Sequence, residues 1–401
     1  MPFDTHSGLR HSSEGEVNAI ALSFNAMALT AEFAKVIICG WPKEWKKPTI
    51  LYFEEYSPRE YEDESKPGGF APPDTLTGQH VQQLSESLIK QLFEGFETIV
   101  LSMPQGTNFL SHPLADSPRF WVQDAFALLL SDAQGSVVHL NVQENEWPND
   151  SGIHLYKIKE PKVIFQGGDL FVLDNIVLIG STYYDYRQRS DPNSLENYMA
   201  DHLHDVYAST THSRFVPLPA DIGDLKAIMG RIKNQLAYPF YHLDLYLTAI
   251  EEKERVIFFV GQIKPTMQFY ASAPENVQWA AHQMARLLDQ LLPSLQSLEQ
   301  KLGKTVILER IPILFGIPYM GIHSFTNGLL AHRANQGVYF VTTPATEDLS
   351  KYWLSKEEIE EALSVTKAVF SKYNTKVFAM NLPPFLSNAL IGGLHCVTKV
   401  L

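Results

Sequence analysis

Near the end of this 401-residue chain, Cys396 stands in Gly392-Gly393-Leu394-His395-Cys396-Val397-Thr398, a polar and turn-prone setting. A thiol is nucleophilic as its thiolate, and such a setting suits a reactive cysteine better than an inert one. The only other cysteine, Cys39, follows Val36-Ile37-Ile38 and is expected to pack as a small buried hydrophobe. Three further segments carry polar groups in apolar surroundings. Phe120-Trp121-Val122-Gln123-Asp124-Ala125-Phe126 holds a carboxylate between aromatics. In Phe165-Gln166-Gly167-Gly168-Asp169 the two glycines let the backbone turn sharply or approach a ligand closely. In His242-Leu243-Asp244, before the apolar run Leu245 to Ile250, a strand would project His242 and Asp244 to one side. Together the segments offer a thiol nucleophile, an imidazole able to move protons near neutral pH, and carboxylates able to hold a cation.

The elements that would position these groups read as mixed α/β. Strands are expected at Thr49 to Phe53, Thr98 to Met103, Val256 to Val260, Thr305 to Leu308 and Val338 to Thr342. Leu170 to Leu173 and Ile176 to Ile179 flank Asp174-Asn175, a two-residue hairpin signal. Thr77 is placed to cap a helix carrying Val81, Leu84, Leu88, Ile89 and Leu92, with Gly95 as its stop. Pro274 to Leu302 has helical periodicity, with Pro293 kinking or dividing it. Ser355 and Glu358 form a capping box, and the helix they open leads through Asn374 into a strand from Lys376 to Met380. Residues 55–75, rich in Glu, Pro and Gly, read as a loop. With no repeat, low-complexity tract or linker, one domain is expected.

Composition narrows the chemistry further. The chain is 45% hydrophobic and carries 32 Lys and Arg against 45 Asp and Glu, a formal net charge of −13. That is enough apolar material for a large core. The acidic balance argues against nucleic acid and suits a cationic partner. Two cysteines exclude a disulfide framework, an iron–sulfur cluster and a multi-cysteine zinc site. The longest apolar stretch, Ala19 to Trp41, is interrupted by Asn25, Glu32 and Lys35, so no membrane span is expected. Glu14 and Glu16 stand where a signal peptide would be basic, and the expected location is cytoplasmic. Phosphate-binding glycine motifs and a G-x-S-x-G elbow are absent.

In their order along the chain, the four segments resemble the motifs of the guanidino-group modifying superfamily, which includes arginine and agmatine deiminases, dimethylargininase, amidinotransferases and protein-arginine deiminases. The matching residues are Gln123-Asp124, Gln166-Gly167-Gly168-Asp169, His242-x-Asp244 and Gly393-Leu394-His395-Cys396-Val397-Thr398. Ser324-Phe325-Thr326-Asn327-Gly328 also resembles a late family segment. The likeness runs from about residue 48 to 401, after an N-terminal extension or first elements over 1–47. It implies a five-bladed α/β propeller of pseudo-fivefold ββαβ units, with the active site on the central axis. It implies a cysteine-dependent hydrolase without cofactor or metal, acting on a small guanidino compound or a protein arginine. Asp124 and Asp244 would hold the guanidinium, Cys396 would attack its carbon, and His242 would pass protons. Trp121, Gln166, Asp169 and Arg187 (or Arg189) would contact the substrate.

Gln166 departs from the Glu or Asp of many members, and a neutral amide favours an imidazolium less than a carboxylate does. That departure keeps a non-catalytic binding relative in view. An amidinotransferase, in which an amine replaces water in the second step, is the rival on the same fold. A metal-dependent hydrolase using Asp201, His202, His204 and Asp205 with His242 is the rival from another class.

Overall fold

The computed structural model describes residues 8–9, 17, 19–22, 27–54, 84–102, 129–132, 135–140, 154–157, 168, 170–173, 176–180, 214–218, 242–264, 273, 275–315, 322–333, 335–344, 355–381 and 394–400. Its strands in chain order are β1 (Gly8–Leu9), β2 (Ala19–Leu22), β3 (Thr49–Glu54), β4 (Thr98–Ser102), β5 (Leu129–Asp132), β6 (Gly135–Leu140), β7 (His154–Lys157), β8 (Leu170–Leu173) and β9 (Ile176–Gly180). They continue with β10 (Arg214–Leu218), β11 (Leu247–Glu251), β12 (Arg255–Gln262), β13 (Thr305–Phe315), β14 (Ile322–Ser324), β15 (Leu329–Arg333), β16 (Gln336–Thr343), β17 (Thr375–Asn381) and β18 (Thr398–Val400). The helices are α1 (Met27–Gly40), α2 (Glu86–Leu92), α3 (Glu275–Gln296), α4 (Leu298–Leu302), α5 (Lys356–Ser371) and α6 (Leu394–Val397).

These strands form five separate sheets among the described residues, in the orders β1-β5-β6-β7, β10-β9-β8, β11-β12-β13-β14, β15-β16-β17 and β18-β2-β3-β4. One pairing pattern recurs in all five. A central strand is antiparallel to one neighbour and parallel to the other: β6 between β5 and β7, β9 between β8 and β10, β12 between β11 and β13, β16 between β15 and β17, and β2 between β18 and β3. Parallel neighbours need a crossover, and in three of the units helices among the described residues lie in it. α1 joins β2 to β3, α3 and α4 join β12 to β13, and α5 joins β16 to β17. The expected ββαβ unit is therefore present, and the class is mixed α/β. In the unit built on β2 the outer strand β18 comes from the far end of the sequence, with Lys399 opposite Ala21. The boundary expected at residue 48 falls between the paired strands β2 and β3.

Local sequence accounts for several element ends. The Ser355 hydroxyl accepts from the Glu358 N–H at 3.1 Å and the Glu358 carboxylate accepts from the Ser355 N–H at 2.8 Å, the expected capping box. Leu173 lies opposite Ile176, the register a two-residue hairpin requires, although Asp174 and Asn175 themselves lie outside the described residues. Ser85, rather than Thr77, caps α2, and Gly95 follows that helix at φ +83°. Thr77 and Val81 lie outside the described residues, as do Met103 and residues 55–75. Pro293 stays within α3, and the division comes at Ser297, whose N–H still reaches the Pro293 carbonyl at 3.0 Å. Within the apolar stretch Ala19 to Trp41 lie the fully buried strand β2 and the helix α1. No helix among the described residues is long and apolar enough to cross a membrane.

Cys39 corrects an expectation. It is exposed, because α1 buries Leu29, Thr30, Phe33, Ala34, Ile37 and Gly40 at helical spacing and so turns Ile38 and Cys39 outward.

Two apolar cores lie among the described side chains. One gathers β8, β9, β11, β12, β13, α3 and α5, and the other gathers α1, α2, β2, β3 and one face of β15 and β16. In the first, the Phe370 ring of α5 stacks between Phe259 of β12 and Tyr339 of β16, each at 4.2 Å between centroids. Burial of such rings contributes about 2 kcal/mol or more apiece.

Candidate functional site

The segment Ser324 to Gly328 joins β14 to β15 and forms one wall of the site. Ser324, Thr326 and Asn327 are buried, and the first two bond to each other. The Ser324 and Thr326 hydroxyls lie 2.6 Å apart, and the Thr326 N–H donates to the Ser324 hydroxyl at 3.1 Å. The Tyr339 hydroxyl rises from the aromatic stack to donate to the Phe325 carbonyl at 2.7 Å. Burial holds the Tyr339 phenol well above its ordinary pKa. A backbone bond from Gly328 opposes this shift and the nearby negative charge of Asp244 adds to it. Next to this wall, burial drives His323 down to about 4, only partly offset by its bond to the Thr342 carbonyl. It is thus neutral at pH 7, with Nε2 donating to that carbonyl at 3.1 Å.

His242 and Asp244 form the second wall, but not as a strand. His242 has extended backbone, and Leu243–Leu245 is a single 3-10 turn leading into β11. Both polar side chains are nevertheless buried and face the same neighbour, Gly168. A β-carbon at Gly168 would lie 2.6 Å from His242 Nδ1 and 3.0 Å from Asp244 Oδ2. Only glycine permits that approach, so the second glycine of the Gly-Gly pair packs directly on the His-x-Asp turn.

The third wall is α6. His395 Nδ1 donates to Asp244 Oδ2 at 2.8 Å, and both side chains are largely buried, 14% and 4% exposed. The His395 N–H reaches the Asn327 carbonyl at 3.5 Å. The Thr326 hydroxyl reaches the Asp244 carbonyl at 3.3 Å, which fixes the backbone of the same turn. Thr398 ends α6 by bonding the Leu394 carbonyl at 2.8 Å, after which the chain enters β18.

The structure thus brings together Gly168, His242, Asp244 and the helix whose backbone carries Cys396. The Cys396 side chain lies outside what is described, as do Trp121, Asp124, Gln166, Asp169, Arg187 and Arg189. Asp201, His202, His204 and Asp205 also lie outside it. Among the described residues no group of three or more His, Cys, Asp or Glu side chains could hold a metal ion. The pairing of His395 with Asp244 is not foreshadowed in the sequence, where His395 stands out only as the neighbour of Cys396. A bond spanning 151 positions leaves no local signal.

No family model and no curated protein matches this sequence. Its fold is similar to that of a crystal structure provisionally described as an agmatine deiminase, with a TM-score of 0.54 and 13% sequence identity, over 98% of this chain and 95% of that one. Agmatine deiminases are among the proteins whose motifs the sequence resembles, and at this identity the likeness bears on the fold alone.

Proposed function

We propose that this protein is a cysteine-dependent hydrolase of the deiminase type, acting on a small guanidino compound or an arginine side chain. The observation that carries the proposal is the convergence on Asp244 of three segments far apart in sequence: Gly168, His242-x-Asp244, and the turn bearing His395 and Cys396. The fold shared with a structure described as that of an agmatine deiminase is consistent with this reading. The five units, each with its antiparallel and parallel partner, support a reading as the blades of a five-bladed propeller, with the active site on its axis as the motif resemblance implies. A working free thiol suits the reducing cytoplasm.

In this reading Asp124 and Asp244 accept hydrogen bonds from the guanidinium, fix its plane and balance its charge. The Cys396 thiolate adds to the central carbon, forming a C–S bond. His242 gives a proton to the departing nitrogen, the C–N bond breaks, and ammonia leaves a thiouronium on sulfur. His242 then takes a proton from water, which adds to the same carbon. The C–S bond breaks, releasing a urea of the citrulline type and the thiolate. Gln166, Asp169, Trp121 and Arg187 line the substrate's remaining contacts.

Incubation with free arginine, agmatine, a methylated arginine and an arginine-containing peptide, read by ammonia release and by the imine-to-oxo mass change, tests the proposal. Release of ammonia without an acceptor amine distinguishes hydrolysis from amidino transfer. Failure of every substrate would overturn the reading. Gln166 favours one other, a binding protein on a retained fold, which turnover abolished by His242→Ala would exclude.

A further inference from the structure

We infer that His395 is a positioning residue that clamps the substrate-binding carboxylate of Asp244 and locks it to the turn carrying Cys396. The inference rests on the proposed function and concerns a residue to which that reaction gives no role.

Asp244 is almost wholly buried, and a buried carboxylate requires hydrogen-bond donors to offset its lost hydration. Its environment is asymmetric. Gly168 closes on Oδ2 with bare backbone and offers no side chain, since even a β-carbon there would stand 3.0 Å away. His395 donates to that same oxygen at 2.8 Å. One end of the carboxylate is therefore fixed in direction, and its plane is set before any cation arrives. A guanidinium is recognised by two parallel bonds in one plane, so a carboxylate free to rotate would have to be ordered at the expense of affinity.

The clamp is itself held. The His395 N–H is tied to the Asn327 carbonyl and the Asp244 carbonyl to the Thr326 hydroxyl, so both partners are pinned to the Ser324–Gly328 wall. His395 also immediately precedes Cys396 in α6. Through this one side chain the carboxylate that orients the cation and the helix that presents the nucleophile share a single reference frame. Loss of the clamp acts on substrate binding through Asp244, without removing any group that reacts.

Two variants test this kinetically. In His395→Leu the ring volume is roughly kept and the donor is lost, whereas in His395→Asn the side-chain amide nitrogen stands near the position of Nδ1 and still donates. With the guanidino substrate turned over by the wild type, His395→Leu is expected to raise KM about tenfold or more, the loss of one charge-assisted bond, with a smaller change in kcat. His395→Asn is expected to return KM to within about threefold of the wild type, the amide bond being close in strength to the one replaced. Equal KM values for the Leu and Asn variants, or an unchanged KM in His395→Leu, would overturn the inference. Urea unfolding of His395→Leu, Asp244→Asn and the double variant, without substrate, tests the contact independently. The double variant is expected to lose clearly less than the sum of the singles, and strict additivity would overturn the pairing. If the wild type turns over no guanidine while the unfolding cycle shows coupling, the contact stands, and both the proposed reaction and the clamp's catalytic purpose fail.

Discussion

Gly168 faces His242 so closely that a β-carbon there would stand 2.6 Å from Nδ1 of the imidazole. No folded protein tolerates that distance, so Gly168→Ala must displace either the glycine backbone or the His242 ring. If His242 passes protons as proposed, the expected outcome is a fall in kcat/KM of about tenfold or more, since displacements of a fraction of an ångström at a reacting group are costly. Circular dichroism should remain close to that of the wild type. An Ala variant with unchanged kinetics would show that the Gly-Gly segment does not set the imidazole's position.

Acid should destabilise the fold through His323. Its pKa is about 4 in the folded protein, against an ordinary value of 6.5, because burial penalises the charged ring. Below 6.5 the unfolded chain therefore binds a proton that the native state refuses. The contribution of His323 to stability is complete above that value and is lost as the pH falls toward 4, by about 3 kcal/mol at the limit. His332, which burial lowers as well, acts in the same direction. Urea unfolding at pH 7.5 and 4.5 checks this. His323→Gln keeps a donor for the Thr342 carbonyl, and its stability should fall less between the two pH values, by about 2 kcal/mol. Identical falls in both proteins would contradict the assignment.

At the end of β11 away from the site, Glu251 has a fully buried side chain and receives Lys304 Nζ at 2.6 Å. Removing one partner of such a pair leaves a buried charge, at about 3 kcal/mol or more, whereas replacing both by neutral groups is far better tolerated. Lys304→Met is thus expected to lower the urea midpoint strongly, and Glu251→Gln in that background to restore part of the loss. A Lys304→Met protein as stable as the wild type would show that solvent reaches Glu251.

How much of this the sequence disclosed follows from the range of the forces involved. The Ser355–Glu358 capping box and the hairpin register at Leu173 and Ile176 are satisfied within a few residues, and both were readable. Cys39 follows the apolar run Val36 to Ile38, and local apolarity predicts burial, whereas in a helix alternate positions of such a run point apart. The shared orientation of His242 and Asp244 was anticipated, but through a strand; a 3-10 turn provides it instead, and the contact that requires it, with Gly168, lies 74 positions upstream. The Asp244–His395 bond and the pairing of β18 with β2 depend on how the units assemble, which local pattern does not encode.

The second cysteine, Cys39, provides an internal control. Cys39 is exposed on the outer face of α1, so Cys39→Ala should leave both stability and turnover within error of the wild type. A loss of activity on its removal would place the functional thiol elsewhere than α6.

Ammonia release from arginine, agmatine, methylarginine and peptidyl arginine, compared between the wild type, Cys39→Ala and Cys396→Ala, tests the central claim most directly. Wild type and Cys39→Ala are predicted to release ammonia from at least one of these at equal rates, and Cys396→Ala to fall to background. Turnover undiminished in Cys396→Ala, or none from any of the four in the wild type, would contradict it.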